Sequence, residues 1–132
     1  MPLLVPDVGE VELLSRMLNK GATGDVILRL YSNNYTPVEG ATVASFTQCN
    51  AAGYAAKTLT GASWTVATNA GTTEASYAEQ TFTFTAAQTV YGYYVTNVAN
   101  TIALWAEIFT GAPFNIPSGG GSVKVTPKIQ LS

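Results

Sequence analysis

The chain has 132 residues, enough for one domain with a sizeable core and too few for two. Hydrophobic residues make up 47% of it but charged residues only 11%, against roughly 25% in a typical soluble domain, and the net charge is -2. No basic field exists to hold phosphates, which excludes nucleic acid as an expected partner. With no His, the commonest general base and neutral metal ligand are missing.

The opening Met1 to Pro6 is apolar and bounded by prolines, which push their predecessors toward extended geometry, so it reads as an arm. It lacks the basic region and apolar run of a secretory leader, and the mature chain is expected to start here. Leu3, Leu4 and Val5 either fold onto the domain's own core or dock on a neighbouring subunit. One amphipathic helix follows, with Val8, Val11, Leu14 and Leu18 recurring at helical spacing and Leu13 and Met17 widening the stripe. Asp7 is its expected N-cap, Glu10 completes a capping box, and Gly21 marks its end. Residues 1–21 are thus an arm and helix, and residues 22–132 a single β domain.

From Asp25 the period changes to two. Val26 to Tyr31 reads as a strand, with further strands expected at Thr42 to Gln48, around Tyr54 to Leu59, and at Ser63 to Thr68, before a loop from Asn69 to Thr73. Between Tyr77 and Thr85, Phe82 and Phe84 face one way and Thr81, Thr83 and Thr85 the other, as in a half-buried antiparallel strand. Thr89 to Asn97 alternates Tyr91, Tyr93 and Val95 with Val90, Gly92, Tyr94 and Thr96. Thr101 to Thr110 sets Ile102, Leu104, Ala106 and Ile108 against Ala103, Trp105, Glu107 and Phe109; two apolar faces predict a central strand or one that meets another chain. After a loop from Gly111 to Gly121, Ser122 to Leu131 is the last strand, with Pro127 marking an edge or bulge. The stretch from Gln80 to Ala106 has no charge, but its Thr, Gln and Asn residues interrupt it too often for a membrane helix. Short strands at this spacing predict a mainly β fold, an antiparallel sandwich or jelly-roll-like domain with one N-terminal helix.

Candidates for chemistry are few. Glu74 and Glu79 are the carboxylates a glycosidase-like pair could use, and a loop charge and a strand-end charge explain them equally well. Glu107, among Trp105, Ile108 and Phe109, needs a partner, water or a subunit interface. Cys49 has no activating base and reads as a small buried hydrophobe. The Gly119 to Gly121 run lacks the Lys-Ser/Thr of a phosphate loop and reads as a turn. No Cys/His metal cluster or EF-hand spacing occurs, and no cofactor is expected. Trp64 and Tyr54 are candidates for a sugar-stacking platform, set against ordinary sheet packing.

Leu-Leu-Val-Pro-Asp-Val-Gly-Glu with its helix, then Ile27 to Asn34 before Thr36-Pro37, then Gly53-Tyr54-Ala55 with Lys57-Thr58-Leu59 and Trp64, and finally Val125 to Leu131, resemble small virion proteins of tailed bacteriophages. The resemblance is nearest to capsid decoration, or cement, proteins, including those of cyanophages. It implies a non-enzymatic β-rich protein, often a homotrimer, made in the host cytoplasm and seated on the outer capsid surface, where it clamps subunits of the major capsid protein. Leu3, Leu4, Val5, Trp105, Glu107 and Phe109 are then the expected capsid or subunit interface. The alternative is a tail-fibre or baseplate module that binds host-surface glycan through Trp64 and Tyr54.

Overall fold

The computed structural model describes residues 3–17 and 24–131. Among the described residues the fold is mainly β, with one α-helix, several antiparallel sheets and no closed barrel, in keeping with a sandwich. After the arm comes helix α1 (Asp7–Met17). The strands that follow are β1 (Val26–Tyr31), β2 (Lys57–Leu59), β3 (Thr65–Asn69), β4 (Thr72–Ser76), β5 (Gln80–Phe84), β6 (Gln88–Val90), β7 (Gly92–Asn97), β8 (Ala103–Ile108), β9 (Phe114–Ile116), β10 (Gly121–Val125) and β11 (Lys128–Leu131). Four strands form the main sheet in the order β2-β1-β7-β8, and the others pair as β10-β5, β11-β4-β3 and β6-β9. Among the described residues, no helix is long and apolar enough to cross a membrane.

The main sheet buries both faces. Cross-strand rows Leu28–Val95–Trp105 and Leu30–Tyr93–Glu107 share one face, which packs on Phe82 and Phe84 of β5, Val123 and Val125 of β10, and Leu59, Val90 and Ile116. The opposite face carries Tyr31, Tyr94, Ala103 and Ala106, and is covered by Ala41 and Phe46. There Phe46 stacks on Tyr94 at 4.6 Å with an 8° interplanar angle and meets Tyr31 edge-on at 5.1 Å. Gly92 lies opposite Ile108 at this sheet's end, where a Cβ would stand 2.7 Å from the Tyr31 ring. The aromatic side chain therefore lies flat across the strand.

Several expectations are corrected. Thr42 to Gln48 is not a strand: a 3₁₀ turn at Val43–Ser45 and a single bridge from Gln48 to Tyr31 replace it, because this segment spends its apolar residue, Phe46, as a lid on the aromatic face. Asn69 to Thr73 is not a loop but a two-residue hairpin turn at Ala70 and Gly71, both at positive φ, between β3 and β4. The loop from Gly111 to Gly121 contains β9, and the last strand breaks at Pro127 into β10 and β11.

Strand β8 is not central; it is the last strand of the main sheet. A bulge leaves Leu104 between the pairs Thr96–Ala103 and Val95–Trp105, so strict alternation fails and Leu104 and Trp105 enter the same core. Its two apolar faces are covered by this chain itself.

The helix also differs from its expected facing. Val8 and Val11 are exposed at 42% and 66%, while Gly9 is buried against β8, where a Cβ would collide with the Leu104 carbonyl and lie 2.8 Å from that of Ala103. Backbone contact through glycine thus decides the docked face over the valine stripe. Asp7 is not the N-cap either: the Pro6 carbonyl accepts from Gly9 and Glu10 at 2.8 and 3.0 Å, and the Asp7 amide donates to Glu39 at 2.8 Å. Leu18 and Gly21 lie outside the described residues.

Candidate functional site

The arm runs antiparallel to β8 and adds to its edge. Leu4 donates its amide to the Ala106 carbonyl at 3.1 Å and accepts the Ala106 amide at 3.0 Å. Leu3 and Val5, on the other side of the extended arm, pack against the main core. Between this arm, α1 and the strands β10 and β11 lies a cleft of about 750 Å³, lined by Leu3, Val5, Leu13, Phe109 and Ile129, with Tyr93 and Glu107 within it and Lys124 and Lys128 beside it.

Glu107 gains its partner from the sheet. It stands directly opposite Tyr93, whose hydroxyl donates to Glu107 Oε2 at 3.1 Å. Burial first, and then the Glu107 charge and this bond, push the Tyr93 phenol above its ordinary range, so it stays a donor at any physiological pH. The carboxylate is half-buried, hydrogen-bonded and flanked by apolar side chains. Such a cleft can receive an extended apolar segment and offer it one negatively charged acceptor, with two cations at the rim.

Four of the six expected interface residues, Leu3, Val5, Glu107 and Phe109, meet at this cleft. Leu4 faces away from it along the arm, in its bridge to Ala106. Trp105 does not join them: only 2% exposed, it packs edge-on to Trp64 at 6.2 Å inside the core. Sequence reasoning missed Leu13, Lys124, Lys128 and Ile129, because only the return of β10 and β11 beside the arm makes them neighbours.

The aromatic candidates for sugar binding are occupied. Tyr54 stacks on Phe82 and Phe84 at 5.8 and 5.7 Å, and its hydroxyl accepts the Leu30 amide at 3.1 Å. Trp64 is half-buried between Tyr77 and Trp105. Both are half-buried and packed against neighbouring aromatic rings, as ordinary sheet packing places them.

The carboxylates of a would-be glycosidase pair go to separate lysines. Glu74 meets Lys128 at 3.4 Å and accepts from Gln130 at 2.6 Å, and the Gln130 bond first, with Lys128 behind it, lowers its carboxyl below the ordinary range. Glu79 meets Lys124 at 3.6 Å. Neither lines the cleft, so Glu107 has no second carboxylate there. Cys49 is buried in the core, where desolvation pushes its thiol up to about 12. The glycine triplet forms a turn, in which Gly120 donates to the Pro117 carbonyl at 2.9 Å, and enters β10. Among the described residues no three His, Cys, Asp or Glu side chains converge as metal ligands would. Comparison with protein-family models, curated proteins and solved structures gives no match.

Proposed function

We propose that this chain is a non-enzymatic structural protein of a phage virion, a decoration protein that binds the outer head surface and stabilises contacts between major capsid protein subunits. The observation that supports the reading is the meeting of Leu3, Val5, Glu107 and Phe109, drawn from distant parts of the chain, around one apolar cleft bordered by an added arm. An extended capsid segment seated there buries apolar side chains at little desolvation cost and finds one acceptor in Glu107. Binding the assembled lattice and not the free subunits raises capsid stability by mass action, repeated over many sites.

The test has two parts. Mass spectrometry of purified virions should find the protein at a copy number near that of the major capsid protein; a copy number near that of a tail component overturns the proposal. Recombinant protein should sediment with capsids stripped of it, and Phe109→Asp should abolish this while leaving the far-ultraviolet circular dichroism unchanged. The glycan-binding alternative has no observation in its favour, because Trp64 and Tyr54 are packed.

A further inference from the structure

Strand β3 closes the sheet β11-β4-β3, and among the described residues no strand pairs with its outer edge. Asn69 and Thr72 flank a two-residue turn and so form a hydrogen-bonded pair, which makes Ala67 and Thr65 the other inward-bonded residues of β3. The amides and carbonyls of Val66 and Thr68 therefore point outward, and among the described residues they meet no backbone partner. The side chains of Thr65, Val66, Ala67 and Thr68 are all exposed, Val66 at 68%.

Other edges in this fold carry protection of the kind proteins use against strand addition. The arm lies on β8, Lys57 sits on β2, Lys124 on β10, and β11 begins at Lys128 after Pro127, while Gly53 approaches the Thr83 carbonyl and Thr85 amide at the end of β5. Strand β3, Thr-Val-Ala-Thr-Asn, has no charge, no proline and no bulge.

We infer that β3 is a self-association edge, which pairs antiparallel with β3 of a second copy about a two-fold axis at Ala67, joining the two three-stranded sheets into one. The register follows from the outward groups. Val66 of each copy exchanges both hydrogen bonds with Thr68 of the other, which uses all four open groups of each strand. Ala67 then faces its own symmetry mate as a non-hydrogen-bonded pair, where strands come closest and a small side chain fits. Thr65 stands opposite Asn69, and no position sets like charges against each other.

A two-fold contact joins copies in pairs and does not close a threefold ring. It therefore stands independently of the capsid reading. A five-residue edge spans only about 17 Å, and its area falls well below the ~1,200 Å² of a stable interface. The pair is thus weak in free solution and fills when copies are concentrated.

Cross-linking tests this directly, since Cys49 is buried and contributes no exposed thiol. Ala67→Cys places two thiols across the axis at a spacing a disulfide accepts. Under mild oxidation at sub-millimolar protein, Ala67→Cys should form dimers about tenfold faster than Val98→Cys, a thiol at another exposed site (63%). Adding Thr68→Pro should bring the rate down to that control. It removes an outward backbone donor and no bond of the β3–β4 backbone ladder, though it does remove the exposed Thr68–Thr73 hydroxyl contact at 2.9 Å. Val66→Lys, which leaves that contact in place, should do the same. Equal rates for the two cysteines overturn the inference, as does a fast rate that both edge variants leave unchanged.

Discussion

Leu4 and Ala106, far apart in the chain, exchange both of their backbone hydrogen bonds, at 3.1 and 3.0 Å. This one reciprocal pair turns an apolar terminal peptide into a strand on the open edge of β8, and the peptide's Leu3 and Val5 then line one wall of the cleft.

The arm is expected to contribute measurably to stability. Two net hydrogen bonds of about 0.5–1.5 kcal/mol each and the partial burial of Leu3 and Val5, about 1–2 kcal/mol together, predict that deleting residues 1–5 lowers unfolding free energy by about 2–5 kcal/mol. Leu4→Pro should cost a part of this by removing the Leu4 donor, while Leu4→Ala keeps the pair. Urea unfolding followed by tryptophan fluorescence checks it; an unchanged midpoint for the deletion refutes the docking.

Gly9→Ala should destabilise, against the helix-propensity trend. In an exposed helix interior alanine is better than glycine by about 1 kcal/mol. Here the new methyl meets the carbonyls of Leu104 and Ala103, and forcing the helix off β8 should cost about 1–3 kcal/mol net. A thermal midpoint equal to or above that of the parent would sink this account.

Trp105 is buried and, among the described residues, its indole Nε1 has no hydrogen-bond partner. Trp105→Ala should cost about 3–5 kcal/mol as a cavity forms. Trp105→Phe removes the orphan donor with much of the ring retained, so its cost should stay below about 1.5 kcal/mol. Equilibrium unfolding of the two variants separates packing from the donor, and equal costs would contradict it.

Stability should fall at alkaline pH. Burial raises the thiol of Cys49 from 9.0 to about 12 and the phenol of Tyr94 from 10.0 to about 12, and also raises Tyr31, Tyr54 and Tyr93. Each group is neutral in folded and unfolded chains below its ordinary value, so the full contribution is present there. Above it the unfolded chain ionises first, and stability drops by up to about 1.4 kcal/mol per pH unit per group until the folded value is reached. Unfolding midpoints should hold steady between pH 6 and about 8.5 and decline steeply beyond about pH 9, with a shallower onset in Cys49→Ala. A parallel decline in that variant would remove Cys49 from the explanation.

Much of the fold was legible because alternation is a local property. Phe82 and Phe84 against Thr81 and Thr83 carry their burial in the two-residue period, while Tyr93 and Val95 against Tyr94 carry only their facing in it, since β7 is buried on both sides; the structure places them accordingly. The turn at Ala70 and Gly71 was missed because alanine is a poor marker of positive φ.

The site was legible only in its parts. Composition and pattern determined a β domain of low charge, one helix, an apolar arm and an odd carboxylate at Glu107. Which helix face docks, which way Leu104 and Trp105 point, and what Glu107 bonds were decided by tertiary structure alone. A buried glycine at Gly9, a bulge in β8 and the cross-strand partner Tyr93 are settled by what lies opposite, and no periodicity along the chain encodes that.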